Sequence, residues 1–351
     1  MAQVFWKARG GLLTDPWINL DGRLNAPSGS PQFASLLSPY PTATAPNPRT
    51  RWPNNGSQPP WRVAGVDYPA GINSGTSLVV PTSGNVPSGV SVGSNSISIN
   101  TDNVVFNGFD CTGFQIQPNA ANILITNCLF AIPSSGGRST TNVLSGATNC
   151  VFRYCEFNGN NFNDDLTGVL MLIQTAGGCT VEYCYLHDEY GDFFDLYGGG
   201  SYVIRYNLGH NTGQVGSHPD WIAMGGGTYT SCVVQFNTFV QDALVDRTGS
   251  PMGTQGIGLD GFGTYQLNGP FDVGFNTLIA LVDGGSFADQ NYMTSWPGPG
   301  ATLGAGFTES IHDNYMDPSG GNSADAPAIA GSQPVGGTHS NNIDMRTGVQ
   351  L

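Results

Sequence analysis

The sequence predicts an all-β solenoid in which each repeat contributes one β-coil, and three observations support this prediction. Six of the seven cysteines fall into two columns of one repeating pattern, the pattern recurs every 21 to 39 residues, and its short segments alternate with a period of two. Periods of this length are typical of solenoids, whose units bury their apolar faces by stacking on their neighbours. The 50 glycines and 23 prolines among 351 residues disfavour long helices.

The repeat is defined by a zero position that holds asparagine or cysteine. Each zero residue follows an apolar residue three positions earlier, and three further cysteines lie five positions before a zero. The zero positions are Asn107, Cys128, Cys155, Cys184, Asn207, Asn237, Asn276 and Asn314. The pattern predicts about eight coils with the −5, −3 and −1 side chains on one face. We therefore expect the aromatic −1 column to stack in the interior, with the members Phe106, Tyr154, Tyr183, Tyr206, Phe236 and Phe275.

An uninterrupted asparagine or cysteine column at a turn resembles the asparagine ladder of right-handed parallel β-helices in the pectate-lyase-like superfamily. Equivalent residues of successive coils lie about 4.8 Å apart, so stacked asparagine side chains can donate and accept hydrogen bonds along the column. Cysteine fills the same slot as a small buried hydrophobe. The resemblance covers roughly residues 95–318 and implies a single-stranded right-handed parallel β-helix.

The composition divides the chain into three segments. Residues 1–95 hold 13 of the 23 prolines and four of the six tryptophans, which predicts an irregular segment that caps the first coil or attaches the protein to a larger assembly. Residues 96–318 form the predicted β-helix. Residues 319–351, rich in small residues, should cover the other end of the stack.

Charge and cysteine content bound the partners and the compartment. A net charge of −14 argues against nucleic acid or an anionic membrane as a partner, and no run of 18 apolar residues spans a membrane. The first residues lack the pattern of a secretory signal. We therefore expect synthesis in a reducing cytoplasm, free cysteines and release by another route, with the protein on a virion surface or outside the cell.

Titratable residues concentrate between positions 187 and 220, where three of the five histidines and five carboxylates lie. His187 and His210 share the +3 column on adjacent coils. Histidine exchanges protons near neutral pH, and paired carboxylates can divide the roles of acid and base. The candidate catalytic residues are His187, His210, Asp195, Asp220 and His218.

A geometric estimate favours a carboxylate pair. Aligning two glycine triplets places Asp195 level with Ile222, so that Asp220 lies on the neighbouring coil at a Cα distance of roughly 8 Å, a separation compatible with an inverting glycosidase. The segment that ends at Asp220 resembles the His-x-Asp-Gly turn of β-helix carbohydrate enzymes, with Trp221 in place of the glycine. That departure weakens the transfer of catalytic roles to His218 and Asp220.

Aromatic and charged side chains in the same coils predict a sugar-binding surface, because flat rings stack on sugar faces. The alternative for Arg205 is a surface ion-pair ladder with Arg153 and Glu182. The alternative for the neighbouring Phe193 and Phe194 is packing beneath a loop. The candidate substrate-binding residues are Arg205, Tyr190, Trp221, Asp192 and Tyr197.

No metal site or cofactor is predicted, because neither Cys-x-x-Cys nor His-x-x-x-His spacing occurs. Calcium remains the alternative use of the clustered carboxylates. Its candidate ligands are Asp164, Asp165, Asp188, Glu189 and Asp192.

Three functions fit these observations. The first is a glycan-binding protein of a phage virion that recognises a host surface polysaccharide; the resemblance to tailspikes implies a homotrimer, with residues 1–95 available to other virion proteins. The second is a polysaccharide lyase or glycoside hydrolase that cleaves a polymer in a groove near His187 and His210. The third is a non-catalytic structural decoration protein, since a fold alone does not fix a function.

Overall fold

The chain is described by a computed structural model whose described residues form strands, turns and loops. These residues are 7–8, 11–12, 59–132, 139–160, 169–175, 177–213, 220–241, 256–258, 265–280, 294–295, 301–317, 329–330, 336–345 and 347–351. His218, Asp164 and Asp165 lie outside them, as does most of the segment before residue 59. Within this part of the chain, no helix is long and apolar enough to cross a membrane.

Three long, mostly parallel sheets contain nearly all the strands. Sheet A consists of β5 (Val105–Asn107), β7 (Leu124–Thr126), β10 (Thr148–Arg153), β13 (Gly177–Glu182), β16 (Gly199–Arg205), β19 (Gly227–Gln235), β22 (Tyr265–Leu267), β23 (Pro270–Gly274), β26 (Ala301–Leu303), β27 (Thr308–His312) and β30 (Gly337–Ser340). Sheet B consists of β8 (Leu129–Ala131), β11 (Glu156–Asn158), β14 (Tyr185–Glu189), β17 (Leu208–Thr212), β20 (Thr238–Gln241), β24 (Thr277–Ala280), β28 (Tyr315–Asp317) and β31 (Ile343–Asp344).

Sheet C begins with one antiparallel pair and continues in parallel. It consists of β3 (Val90–Val92), β4 (Ser96–Ile99), β6 (Gln115–Pro118), β9 (Thr141–Val143), β12 (Val169–Ile173), β15 (Asp192–Leu196), β18 (Ile222–Met224), β21 (Ile257–Gly258), β25 (Thr294–Ser295) and β29 (Ile329–Ala330). A separate antiparallel pair joins β1 (Lys7–Ala8) and β2 (Gly11–Leu12).

The chain visits the three sheets in turn, and each visit adds a strand beside its counterpart from the previous repeat. The strands β13, β14 and β15 belong to sheets A, B and C, and the next strand, β16, pairs in parallel with β13. Inward-facing side chains of all three sheets fill one continuous apolar core. This all-β arrangement of long parallel sheets is consistent with the predicted β-helix or solenoid.

The predicted asparagine column is present from Asn207 onwards. The Asn207 side chain donates through Nδ2 to Oδ1 of Asn237 at 3.0 Å and to the Val181 carbonyl oxygen at 2.9 Å. The same paired bonds recur at Asn237, Asn276 and Asn314, whose side chains are fully buried. Asn314 donates in turn to Asn342, so the column extends one repeat beyond the last position that the sequence pattern identified.

All seven cysteines are free and buried, as predicted. In the zero column, the Cys155 thiol lies 3.6 Å from the Ile125 carbonyl oxygen, a group equivalent to the one that asparagine binds in later repeats. Burial raises the pKa of the Cys155 thiol well above its ordinary value. The thiolate is the reactive form of cysteine, so these side chains act as packing groups.

The predicted register of the first repeat is wrong by two residues. Phe106 pairs with Ile125, and Asn107 pairs with Thr126 rather than with Cys128. The zero position of this repeat is therefore Phe109, which is buried, whereas Asn107 is exposed. A shift of two residues preserves the alternation between inside and outside, so the pattern alone did not separate the two registers.

The −1 aromatic column is also corrected, because from Tyr154 onwards it lies outside the main core. Tyr154, Tyr183, Tyr206, Phe236 and Phe275 adopt left-handed backbone conformations, with φ between 55° and 59°. In this conformation the side chain no longer follows the alternation between inside and outside along the strand. It lies on the outside of the main core, at the corner between sheets A and B. Tyr183 and Tyr206 instead form a separate cluster with Ala64, Tyr68 and Ala70.

The described part of the N-terminal segment does more than precede the first repeat. Residues 61–79, here called the strap, contact side chains from the last repeats to the first. Trp61 packs edge-on against Tyr315 at a centroid distance of 5.0 Å. Val79 forms an isolated parallel β-bridge with Phe109. The chain then forms β3 and β4 at the start of sheet C.

Candidate functional site

The candidate residues lie where the chain passes from sheet B to sheet C. Residues 190–191 alone join β14 to β15, whereas residues 132–140, 159–168 and 213–221 join the corresponding strands of neighbouring repeats. The short connection keeps the ends of β14 and β15 close together. The carboxylates of β15 lie beside the aromatic residue that directly follows that strand.

His187 and His210 are level on neighbouring strands of sheet B, as predicted. His187, however, is only 1% exposed. Its Nδ1 lies 2.8 Å from Oδ2 of Asp188, and its Nε2 lies 3.2 Å from Oε1 of Glu156. The ring also stacks on Tyr185 at a centroid distance of 4.2 Å. Both ring nitrogens are therefore engaged internally, and this geometry suits a structural role for His187 better than the predicted catalytic one.

The environment of His187 gives a testable titration. Burial lowers the pKa of the imidazole. The hydrogen bonds and charges of Asp188 and Glu156 raise the pKa by more than burial lowers it, so the net pKa lies above 6.5. A raised folded-state pKa contributes stability below pH 6.5 that is lost as pH rises through the folded value. We expect the His187 ring signals in NMR to show imidazolium above pH 6.5, and Glu156→Gln to lower the titration midpoint. An unshifted midpoint in the wild-type protein would contradict the assignment.

His210 is partly exposed, and its Nε2 lies 2.9 Å from Nδ2 of Asn211.

Arg205 is held by a buried carboxylate: its Nε and Nη2 both lie 2.8 Å from Oε2 of Glu182. Glu182 also pairs with Arg153. Glu182 is 1% exposed, so the predicted ion-pair ladder exists with its central member buried. The guanidinium of Arg205 is thereby committed to Glu182 and is a poor candidate for sugar-carboxylate recognition.

The carboxylates of sheet C are arranged differently from the estimate. Asp195 pairs with Ala223 rather than with Ile222, because the glycine triplets are offset by one residue. Asp192 and Asp220 are consequently level on adjacent repeats, and the Asp220 amide donates to Oδ1 of Asp192 at 2.5 Å. Asp192 and Asp220 are 7% and 3% exposed, whereas Asp195 is less deeply buried.

Burial and mutual contact separate the protonation preferences of these carboxyls. Burial raises the pKa of Asp195 to about 6, while its hydrogen bond with Asp192 acts in the opposite direction. Burial, together with the charges of Asp220 and Asp195, raises the pKa of Asp192 well above its usual value. The pair therefore favours a protonated Asp192 that donates to a more acidic, more accessible Asp195.

Tyr197 follows β15 and presents the exposed aromatic ring of this region. It is 39% exposed. Among the described residues, it is the one aromatic residue whose large side chain is exposed. Its ring lies so close to Gly225 that a Cβ there would collide with it. Burial, then the charges of Asp195 and Asp192, raise the pKa of its phenol. Glycine at 225 thus lets the ring lie against the backbone beside the carboxylates.

The other predicted aromatic contacts behave differently. Trp221 is fully buried and stacks on Phe239 at 5.1 Å, so its predicted contact with a sugar is wrong. Phe193 and Phe194 are also buried, which agrees with packing as their role. Tyr190 is partly exposed at the short connection.

Two features escaped the sequence analysis. His312 repeats the arrangement of His187, with Nδ1 2.8 Å from Asp313 and Nε2 2.8 Å from Asp272; the recurring dipeptide of histidine followed by aspartate was its signal. Glu309 is buried in the −5 column, and no sequence rule places a carboxylate there. Among the described residues, no group of three histidine, cysteine, aspartate or glutamate side chains is placed to hold a metal ion.

The candidate site therefore consists of Tyr197 and the three aspartates of β15 and its neighbouring repeat. It offers an apolar ring, hydrogen-bond acceptors and one carboxyl that favours the protonated form. No protein-family model, curated protein or solved structure matches this chain.

Proposed function

We propose that this protein is a right-handed parallel β-helix that resembles the pectate-lyase-like superfamily, and that it binds a polysaccharide on sheet C at Tyr197. The observation that carries the proposal is the exposed tyrosine ring set beside Asp195, the least deeply buried of the three aspartates. A sugar presents an apolar face to an aromatic ring and hydroxyl groups to carboxylates. The site offers both at once.

The charges around the site favour a neutral, hydroxyl-rich glycan over a polymer of uronic acids. Asp192, Asp195 and Asp220 lie together, whereas Arg205, at the far end of β16, is bound to Glu182. An anionic chain would meet carboxylates without a compensating cation from these residues. The chain's net charge of −14 acts in the same direction.

Within this proposal the protein acts on a phage virion surface, or outside the cell, as a homotrimer that recognises a host polysaccharide. The seven free, buried cysteines support folding in a reducing compartment. Residues 1–95 would then offer the attachment to other virion proteins. A structural decoration protein remains the outcome if no glycan binds.

Tyr197→Ala tests the binding site. We expect affinity for the bound glycan to fall about tenfold, because aromatic contacts of this kind contribute roughly 1.4 kcal/mol. Tyr197→Trp should retain binding, since it keeps a flat ring. Val105→Ala is the matched control, because Val105 is 54% exposed on β5, the terminal strand of sheet A in the first repeat. Glycan arrays followed by calorimetry provide the measurement, and equal affinities for wild type and Tyr197→Ala would exclude this platform.

Hydrolysis of the bound glycan is the second candidate function, and the pKa of Asp195, which burial raises to about 6, favours it. A carboxyl that titrates near neutral pH can donate a proton to a leaving group or accept one from an attacking water. A lyase is less favoured, since Arg205 is not free to act as a base. Release of reducing ends should fall at least about 100-fold in Asp195→Asn, with Asp110→Asn, on the first repeat, as control. Binding without release of reducing ends would leave recognition as the whole function.

A further inference from the structure

The corner between sheets A and B carries a ladder of aromatic rings that runs along the stack. Successive rings from Tyr154 through Tyr183, Tyr206 and Phe236 to Phe275 are separated by 5.2, 4.9, 5.2 and 4.9 Å. Their left-handed backbone is unfavourable for bulky side chains. The repeated conformation in five consecutive repeats indicates that the ring ladder, and whatever packs on it, compensates for this cost.

The strap packs on this ladder. Trp61 lies edge-on to Phe275 at 5.7 Å, and Tyr68 lies edge-on to Tyr183 and Tyr206 at 6.0 and 6.3 Å. The Tyr68 hydroxyl donates to the Phe236 carbonyl oxygen at 3.4 Å. Trp61 and Tyr68 are 7% and 3% exposed, so the strap is a packed part of the molecule.

Backbone hydrogen bonds hold the strap at its middle and at its C-terminal end, beside the first repeat. The Gly71 amide donates to the Tyr183 carbonyl oxygen at 2.7 Å. Further along, Val79 donates to the Gly108 carbonyl oxygen at 3.1 Å and accepts from the Asp110 amide at 3.0 Å. A single continuous segment thus joins the first repeat, the middle repeats and the last repeats.

We propose that the strap is a clasp that ties both end repeats to the middle of the stack and prevents them from opening independently. In a stack held only by contacts between neighbouring repeats, the terminal repeats have one neighbour each and open most easily. The strap adds contacts between repeats that are far apart in the stack. Trp61 secures the last repeats, and the bonds of Val79 secure the first.

Hydrogen exchange measured peptide by peptide tests the contact of Trp61 with the last repeats. Trp61→Ala should accelerate exchange in β28 and β31 by about tenfold or more, while β7 and β8 change less than about twofold. Val80→Ala is the matched control, because Val80 directly follows the strap and is 60% exposed. It should leave every peptide unchanged.

Cutting the chain tests the contact of Val79 with the first repeat without removing a packed side chain. A protease site inserted between Ser74 and Gly75 lies in exposed chain, where a Cβ on Gly75 would meet nothing within 4 Å. Cleavage should accelerate exchange in β5 and β7 but not in β28. The clasp is refuted if the end repeats exchange as in wild type after both changes, or if either change accelerates all repeats equally.

Discussion

Replacing Asn237 with alanine is expected to lower the free energy of unfolding by about 4 kcal/mol, because buried groups that lose their partners cost roughly 1–3 kcal/mol each. Asn237 is fully buried. It donates to the Ile204 carbonyl oxygen at 2.9 Å and to Asn276 at 3.0 Å, and it accepts from the Asn207 amide at 3.1 Å. Alanine fills none of these roles, so the partner groups lose their hydrogen bonds.

A graded series makes this prediction sharper. Asn237→Cys should destabilise less than alanine, because Cys155 in the same column approaches the equivalent carbonyl oxygen at 3.6 Å. Asn107→Ala, at an exposed position outside the column, should change the free energy by less than about 0.5 kcal/mol. Urea unfolding followed by circular dichroism supplies the values. A loss below 1 kcal/mol in Asn237→Ala would show that the column does not hold the turns together.

Glu309→Gln is expected to stabilise the protein at alkaline pH and to have little effect in acid. Glu309 is 2% exposed, and neither carboxylate oxygen has a hydrogen-bond partner among the described residues. Burial raises the pKa of its side chain from 4.5 to about 8. The folded state therefore binds a proton that the unfolded state has already released between these two values.

The sign follows from proton linkage. Since the folded-state pKa is raised, wild-type stability falls as pH rises from 4.5 towards 8. The gap of three to four pH units corresponds to roughly 5 kcal/mol at pH 9. Glutamine cannot ionise and should remove this loss. Unfolding at pH 5 and pH 9 measures the difference, with Asp102→Asn, an exposed site, as the control for charge. Equal stabilities of Glu309→Gln and wild type at pH 9 would refute the assignment.

The sequence predicted the stacking of equivalent residues because the interior columns obey a strict spatial rule. Val181, Ile204 and Val234 are level in adjacent strands, as their spacing from the zero position requires. The error at Asn107 arose because the first repeat has Phe109 at its zero position. A register defined by asparagine and cysteine could not identify an aromatic residue in that role.

The aromatic −1 column was misplaced for a different reason. Left-handed backbone is ordinarily a property of glycine and asparagine, so nothing in Tyr183 or Phe236 signals a reversal of side-chain direction. The strap that covers these rings is distant from them in sequence. Tertiary contacts of this kind leave no local pattern.

The candidate site stays a prediction whose composition the structure revises. The concentration of histidines and carboxylates directed attention to these repeats, where Asp192, Asp195, Asp220 and Tyr197 lie together. The sequence could not show that Glu156, from the previous repeat, engages His187, or that Trp221 turns into the core. Asp195 and Tyr197 remain because Tyr197 is exposed and Asp195 is partly exposed near the end of a sheet C strand.

A crystal structure of the protein with a fragment of its bound polysaccharide tests the central claim most directly. We predict that one sugar ring lies parallel to the Tyr197 ring, in van der Waals contact, with a hydroxyl group bonded to Asp195. A glycan seated on another surface, with the Tyr197 ring uncovered, would contradict the proposed site.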